Sequence, residues 1–561
     1  MELLNSIFGL DLKTPLLFTQ FFFWGFFLVV LAVYSIIHPH RAARNAFLFF
    51  ASLFFYYKTS SFFFVLLLFS TLVDYSIGFM IHGSKTKAIK KTWLILSVTI
   101  NLLVLCYFKY SFFFTESFND FFGTNVEYFN HFNYWVHSAG DALGVEVGKG
   151  FPIAKLIPPV GVSFFTFQTI SYSVDIYRGH IKPVKSLLDF GFYVSYFPQL
   201  VAGPIVRAAN FIPQLYEPYK VSRREFGIAI FWILKGLIKK LVLADYIAVN
   251  FIDRVFANPE LFTGFENVMS IYGYSLQVYA DFSGYTDIAI GIALLMGFRL
   301  NTNFNSPYKA RSVGEFWRRW HISLSTWLKD YLYVPLGGNK SATFLTWAFY
   351  GFLPVLATII FGIHAIPLIV FCSVALLLIF LYLDYRFPKT RTELAMTANL
   401  LITMLLGGFW HGPSWMFIIW GALNGLALVV FKYWKRISPY QGSNKWYVIA
   451  WTVFITFTFI SFTRIWFRSP DLHTANLFLD NIWNNFGFAY IPEVIDHYAN
   501  VFYVMYAGLI IHWLPTTMKD QIQNLFLRLP LVVKIVVSVV TVFFVYQAIS
   551  SDLQPFIYFQ F

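Results

Sequence analysis

LGGFWHGPSWMFIIW, residues 406–420, decides how this chain is read. One ionisable side chain, His411, stands between Trp410 and Gly412, with apolar stretches at 395–409 and 414–432 on either side. Crossing ~30 Å of hydrocarbon takes ~20 apolar residues, so the stretches read as two membrane spans hinged at the histidine. Gly408 and Gly412 share a GxxxG spacing, as do Gly421 and Gly425, which lets helix backbones approach closely. An imidazole at membrane depth is costly and seldom faces lipid, so function is the first hypothesis. A histidine satisfied by a neighbouring helix carbonyl is the other.

The rest of the chain agrees with a membrane setting. Of 561 residues, 58% are apolar and 12% charged, against roughly 45–50% and about 25% in soluble proteins. The 69 Phe, 34 Tyr and 17 Trp suit lipid contact and interfacial belts. Disorder, a secreted disulfide scaffold and an ordinary cytosolic enzyme are thereby excluded. Cys106 and Cys372 lie in apolar runs, so no disulfide framework or cysteine metal site is expected. The net charge of +13 falls in short clusters between hydrophobic spans, which is the pattern of cytoplasmic loops rather than of a nucleic-acid binder. Only Lys13 precedes the first apolar run at 16–37, whereas Arg41 and Arg44 follow it. That run is expected to remain as a span, with the N-terminus outside.

Hydropathy marks further candidates near 45–57, 61–81, 93–110, 157–177, 186–202, 227–250, 268–298, 343–362, 365–385, 447–467, 500–516 and 531–549. Several are short or broken by Gly and Pro, so about 11–14 crossings with re-entrant pieces are expected. Basic clusters at 38–44, 85–91, 235–240, 308–319, 386–391, 432–436 and 519–528 read as cytoplasmic loops. The polar stretches 111–150 and 468–499 read as extracytoplasmic, and alternation puts the tail 550–561 outside. The fold class is an all-α polytopic integral membrane protein, residues 1–561 forming a single domain.

A second motif, GEFWRRWHISLSTWLKDYL at 314–332, is amphipathic at helical spacing. Phe316, Trp320, Leu324, Trp327 and Tyr331 share one stripe; Arg318, His321, Ser325 and Lys329 share another. The run reads either as an interfacial helix with its basic side toward headgroups or as one wall of a polar cavity that His321 faces. Histidine, with an unperturbed pKa of ~6.5, suits proton abstraction near neutral pH. There is no GxSxG nucleophile elbow and no HExxH zinc pair, so a histidine-centred transfer to a hydroxyl is the simplest chemistry available. Residues 279–287 (YADFSGYTD) and 301–307 (NTNFNSP) either line a donor tunnel, through Asp281, Ser283, Asn303 and Asn305, or glue helices together. Arg318 and Ser325 join that candidate lining. Asp74, Asn101 and Lys109 are assigned to packing or snorkelling.

The segments FPQLVAGPIVR (197–207), YADFSGYTDIAIGIALLMGFRL (279–300), NFNSPYKARSVGEFWRRWHISLSTWLKDYLYVPLGGN (303–339) and LLGGFWHGPSWMFIIWGALNG (405–425) resemble the membrane-bound O-acyltransferase (MBOAT) family. The resemblance covers 150–425 well. It points to the bacterial branch of alginate O-acetylation subunits and, more distantly, lipoteichoic-acid D-alanylation proteins. It implies a ring of transmembrane and re-entrant helices around a central tunnel, with His411 as the catalytic histidine and His321 as the second histidine of that branch. One departure is an apolar pair of segments at 343–385, not expected in shorter relatives.

The resemblance further implies an acyltransferase, most simply an O-acetyltransferase. It would take an acyl thioester such as acetyl-CoA as donor substrate and have no tightly bound cofactor or metal. The implied setting is the bacterial cytoplasmic (inner) membrane, in contact with its lipids, and the acceptor an exported or cell-surface polysaccharide. An extracytoplasmic SGNH-type partner is implied beside it. A transporter or flippase for a lipid-linked or anionic solute is the rival reading; it explains the spans but not the paired histidine motifs. Finally, FIYFQF at 556–561 resembles the FxYxxF tail of the partner peptide in D-alanylation systems, which implies Tyr558 as an acyl carrier. The other reading of the tail is an aromatic interfacial anchor.

Overall fold

The computed structural model describes residues 16–128, 130–142, 159–361, 366–387, 389–547 and 556–557. Among the described residues every regular element is helical, as the composition requires. Lipid leaves no water to satisfy backbone groups, so a spanning chain satisfies them within helices.

The organising element is the central helix Gly264–Leu295, 32 residues and about 48 Å long. It opens with a capping box: the Thr263 N–H donates to Glu266 Oε2 at 2.8 Å, and the Glu266 N–H donates to Thr263 Oγ1 at 3.3 Å. It is buried on nearly all sides, which explains why polar residues and small glycines are spread right round it. A Cβ on Gly284 would sit 2.8 Å from the Gly236 carbonyl oxygen. Glycine at both positions therefore lets the helix Arg223–Leu237 lie directly against the central one.

Among the described residues seven helices are long and apolar enough to cross a membrane, or up to nine if two sharply bent pairs each count as one span. This is fewer than the 11–14 expected from hydropathy. The difference lies in segments such as Val162–Arg178 and Leu187–Ser195, 17 and nine residues long and buried along most of their length. They are hydrophobic because protein, not lipid, surrounds them.

Three further expectations are corrected. The cluster at 235–240 is no loop: Arg223–Leu237 runs on through a π-helical stretch, Ile238–Asp245, and its lysines pair with carboxylates of the central helix. The polar stretch from 111 does not begin a loop either, because helix continues from Lys87 to Phe122 through a π-helical turn at Cys106–Tyr110. The run 314–332 is not one helix. Val313–Arg319 and Ile322–Leu328 are separated by an extended Trp320 and by His321 at φ +43°, a left-handed conformation uncommon outside glycine. The apolar stripe survives the break, since Phe316, Trp320, Leu324 and Trp327 are all buried.

The hairpin read from 395–432 is present as Thr390–His411 and Trp415–Ile437. A Cβ on Gly408 would collide with the Phe417 carbonyl oxygen and lie 2.9 Å from Gly421 Cα. At the open end of the hairpin, Glu393 holds Lys432 and Arg436 at 2.5 Å each. His411 closes the other end, about 27 Å of helix rise away.

Candidate active site

His411 is 4% exposed and its ring packs among Trp410, Trp420 and Phe467, at centroid distances of 5.1, 5.2 and 5.4 Å. As the last residue of its helix, its carbonyl is one of the four that the helix itself cannot satisfy. Lys109 supplies the missing donor: Nζ reaches the Trp410 oxygen at 2.8 Å and the His411 oxygen at 3.0 Å. The Tyr110 hydroxyl donates to the Phe409 oxygen at 2.9 Å. The ammonium sits where the helix dipole is negative, which holds the end of the helix, and hence the imidazole, in place.

His321 is fully buried. Its Nδ1 lies 3.2 Å from Asn303 Oδ1, and the same oxygen accepts from the Ser323 N–H at 3.1 Å and the Ser323 hydroxyl at 2.9 Å. A backbone N–H can only donate, so the amide oxygen, not its nitrogen, faces this cluster. Nδ1 must then carry the proton, and in neutral His321 the lone pair is on Nε2. The Ile322 N–H donates to the Asn303 carbonyl at 2.9 Å, fixing the left-handed turn from the same residue. The Trp410 ring lies 5.1 Å from His411 and 6.1 Å from His321, so one indole bridges the two histidines. Phe282, from the central helix, packs its ring 4.7 Å from His321.

A cavity of about 230 Å³ opens onto His411. Leu324, Ser325, Met404, Gly407 and Trp420 are among its walls. Ser325 therefore faces the same space as His411, whereas Arg318 and Asn305 are exposed. Ser283 receives a hydrogen bond from Lys239 Nζ at 3.0 Å. Asp281 is held by Lys240 at 2.6 Å, and Lys240 also pairs with Asp245 at 2.7 Å. The second oxygen of Asp281 accepts the Ile557 N–H at 3.0 Å. Phe556 and Ile557 are buried, with the Phe556 ring 4.3 Å from Tyr285 and the Lys240 ammonium 4.8 Å from the same ring. Tyr558 lies outside the described residues. Among the described residues no group of three His, Cys, Asp or Glu side chains could hold a metal.

Two features of the site escape a reading by sequence alone. Lys109 is assigned there to packing or snorkelling, yet it caps the histidine helix; the π-helical turn that aims it has no compositional signature. The Lys240–Asp281 pair joins residues 41 apart, and only the fold brings them together.

A buried histidine lining a cavity, a second one pinned by an asparagine and a bundle of membrane-length helices define a polytopic integral-membrane protein with a histidine-centred site. The chain belongs to the membrane-bound O-acyltransferase family, whose model matches residues 89–353. It is 34% identical over 408 residues to the "Probable alginate O-acetylase AlgI" of Pseudomonas aeruginosa, covering 72% of this chain and 63% of that protein. It is 32% identical over 432 residues to the "Peptidoglycan O-acetyltransferase" of Helicobacter pylori, covering 72% and 67%. The "Teichoic acid D-alanyltransferase" of Bacillus subtilis is 24% identical over 330 residues, covering 57% and 71%. The match thus spans somewhat less than two thirds of the alginate protein's length.

Proposed function

We propose that this chain is an O-acetyltransferase that takes acetyl from a cytosolic thioester and passes it across the bacterial cytoplasmic membrane for O-acylation of an exported or cell-surface polysaccharide. The observation that carries the reading is His411, buried at the end of its helix and open to a cavity. In the reaction His411 takes the proton of the acceptor hydroxyl as its oxygen bonds to the acyl carbon. The carbon–sulfur bond breaks, and the proton passes to the leaving thiolate. General-base help of this kind is worth about 10²–10⁴-fold. His321, with Nε2 basic, orients donor or acceptor across the Trp410 ring.

The hydroxyl that accepts first is that of Tyr558, in this proposal. A phenol of pKa ~10 is a better leaving group than a sugar alkoxide, so an acyl-tyrosine keeps the potential to pass its group onward. Burial of Phe556 and Ile557, and the bond from the Ile557 N–H to Asp281, support a tail that enters the protein rather than lying at the lipid interface. The acceptor after Tyr558 is an SGNH-type partner on the outer face, which then acylates the polymer. The pairing of Glu393 with the basic cluster at 432–436 supports a cytoplasmic end about 27 Å from His411. Both termini lie outside in this topology. Labelled acetyl-CoA supplied to the cytoplasmic face of inverted vesicles tests the whole reading. Covalent label on protein or acceptor is expected; accumulation of solute with no covalent transfer would replace the enzyme by a transporter.

A further inference from the structure

Arg464 is 1% exposed, three residues before the Phe467 ring that packs on His411. Its guanidinium is caged by aromatic rings, 4.9 Å from the Trp320 centroid, 5.1 Å from Phe467 and 5.9 Å from Trp420. Two of those rings, Trp420 and Phe467, are also the walls of His411. The Tyr308 hydroxyl is its polar neighbour. Among the described residues no carboxylate pairs with it, and its Nε and Nη2 are buried without a hydrogen-bond acceptor.

That arrangement is expensive. Desolvating an ion is costly even after the protein relaxes. Cation–π contacts return only part of that cost, and two N–H donors remain unsatisfied. Nε and Nη2 form the side edge of the guanidinium fork, the edge that grips a single anionic oxygen or a carboxylate with two parallel bonds. An unsatisfied fork that shares the Trp420 and Phe467 rings with the His411 imidazole is suited to charge that develops only during the reaction.

We propose that Arg464 is an oxyanion-binding catalytic residue, whose Nε–H and Nη2–H hold the acyl carbonyl oxygen in the His411 site. The inference rests on the acyltransferase reading above. When the hydroxyl oxygen bonds to the acyl carbon, the carbonyl π pair moves onto oxygen, and His411 takes the hydroxyl proton. Arg464 binds the resulting oxyanion. The pair then re-forms the carbonyl, the carbon–sulfur bond breaks, and the imidazolium proton goes to the thiolate. No further reactant is needed. The ligand class is a thioester carbonyl, and its ground-state oxygen, being uncharged, gains less from the guanidinium than the oxyanion does.

The test is single-turnover acetylation of purified full-length protein in detergent by labelled acetyl-CoA, with kcat read as the maximal rate constant and KM as the half-saturating donor concentration, both on protein eluting as a monodisperse peak. Arg464→Lys keeps the charge but loses the fork, and Arg464→Met loses both. Removing an oxyanion donor costs about 10²–10³-fold in kcat, and that loss is expected for Arg464→Met with the donor KM changed by less than about threefold. Arg464→Lys should fall between the two. Guanidinium ion added to Arg464→Ala should recover at least about tenfold, and ammonium at equal concentration should not. A loss confined to KM would assign Arg464 to the donor's phosphates and overturn the proposal. Near-normal kcat in Arg464→Met, or an Arg464→Lys protein that no longer elutes monodisperse, would assign it to structure and overturn it equally. Wild-type protein that transfers no acetyl would instead sink the acyltransferase reading itself, so the two failures are distinct.

Discussion

At the scale of single residues, His411 and His321 are buried alike but held differently. His411 is positioned through its backbone, by the Lys109 ammonium on the carbonyls of 410 and 411. His321 is positioned through its ring, by Asn303. Removing the imidazole proposed as base is therefore expected to abolish transfer without unfolding the protein. His411→Ala is expected to lower polymer acylation by at least ~10²-fold at normal membrane levels, since that is the lower bound for general-base help. Activity above about a tenth of wild type would remove His411 from proton transfer. Asn303 makes a finer distinction. Asn303→Asp still accepts from Nδ1 and keeps the tautomer, whereas Asn303→Leu cannot. The leucine variant is expected to lose about tenfold or more while the aspartate stays within a few-fold, because only the leucine frees the ring to carry its proton on Nε2. Equal losses in the two variants, measured on the same polymer assay, would deny the tautomer any role.

Among helices, what matters is how their ends and faces are closed. The hairpin 390–437 was legible in the sequence because length, apolarity and the GxxxG spacing all act locally. The break at His321 was not, because one left-handed residue leaves the 3.6-residue periodicity of Phe316, Trp320, Leu324 and Trp327 intact. The lysines at 235–240 read as a loop because their partners, Asp281 and Asp287, lie more than forty residues further on. A rule that counts positive charges does not see distant carboxylates. The Gly408–Gly421 contact gives a sharp test of the hairpin. Gly408→Val has no room beside the Phe417 carbonyl, so it should cost ~1–3 kcal/mol by overpacking and lower the unfolding temperature in detergent. An unchanged melt would mean that the two helices do not touch there. At the start of Arg223–Leu237, Glu225 accepts the Ser222 N–H, then an Arg299 N–H, and these hold its pKa down to about 2 from an ordinary 4.5. Because the folded value is depressed, the cap's contribution is fully present above pH ~4.5 and is lost as pH falls toward 2. Glu225→Gln should flatten that acid limb of the stability profile; a limb unchanged by the substitution would assign the acid sensitivity elsewhere.

For the whole molecule the question is how an acyl group leaves a site buried in the membrane. His411 opens to a cavity of about 230 Å³, and in the proposed reaction the tail carries the acyl group from it to a polymer acceptor beyond the membrane surface. The tail is suited to that task because it is anchored just before the relevant residue. Ile557 is tied to Asp281 by its N–H, and Asp281 adjoins Phe282, whose ring lies against His321. Phe556 is fixed separately, between Tyr285 and the Lys240 ammonium. Tyr558→Phe keeps the aromatic character of FIYFQF and removes only the oxygen to which acetyl would be attached, so the expression level is expected to stay unchanged. The expected outcome is loss of polymer acylation to background, together with loss of the acid-stable, base-labile acetyl label on the wild-type protein. Asp281→Asn, which keeps an acceptor for the Ile557 N–H but breaks the charge pair with Lys240, should weaken the seat and give a partial loss. If Tyr558→Phe acylates polymer normally, the tail is an anchor alone, and the acyl group leaves the His411 site on another acceptor.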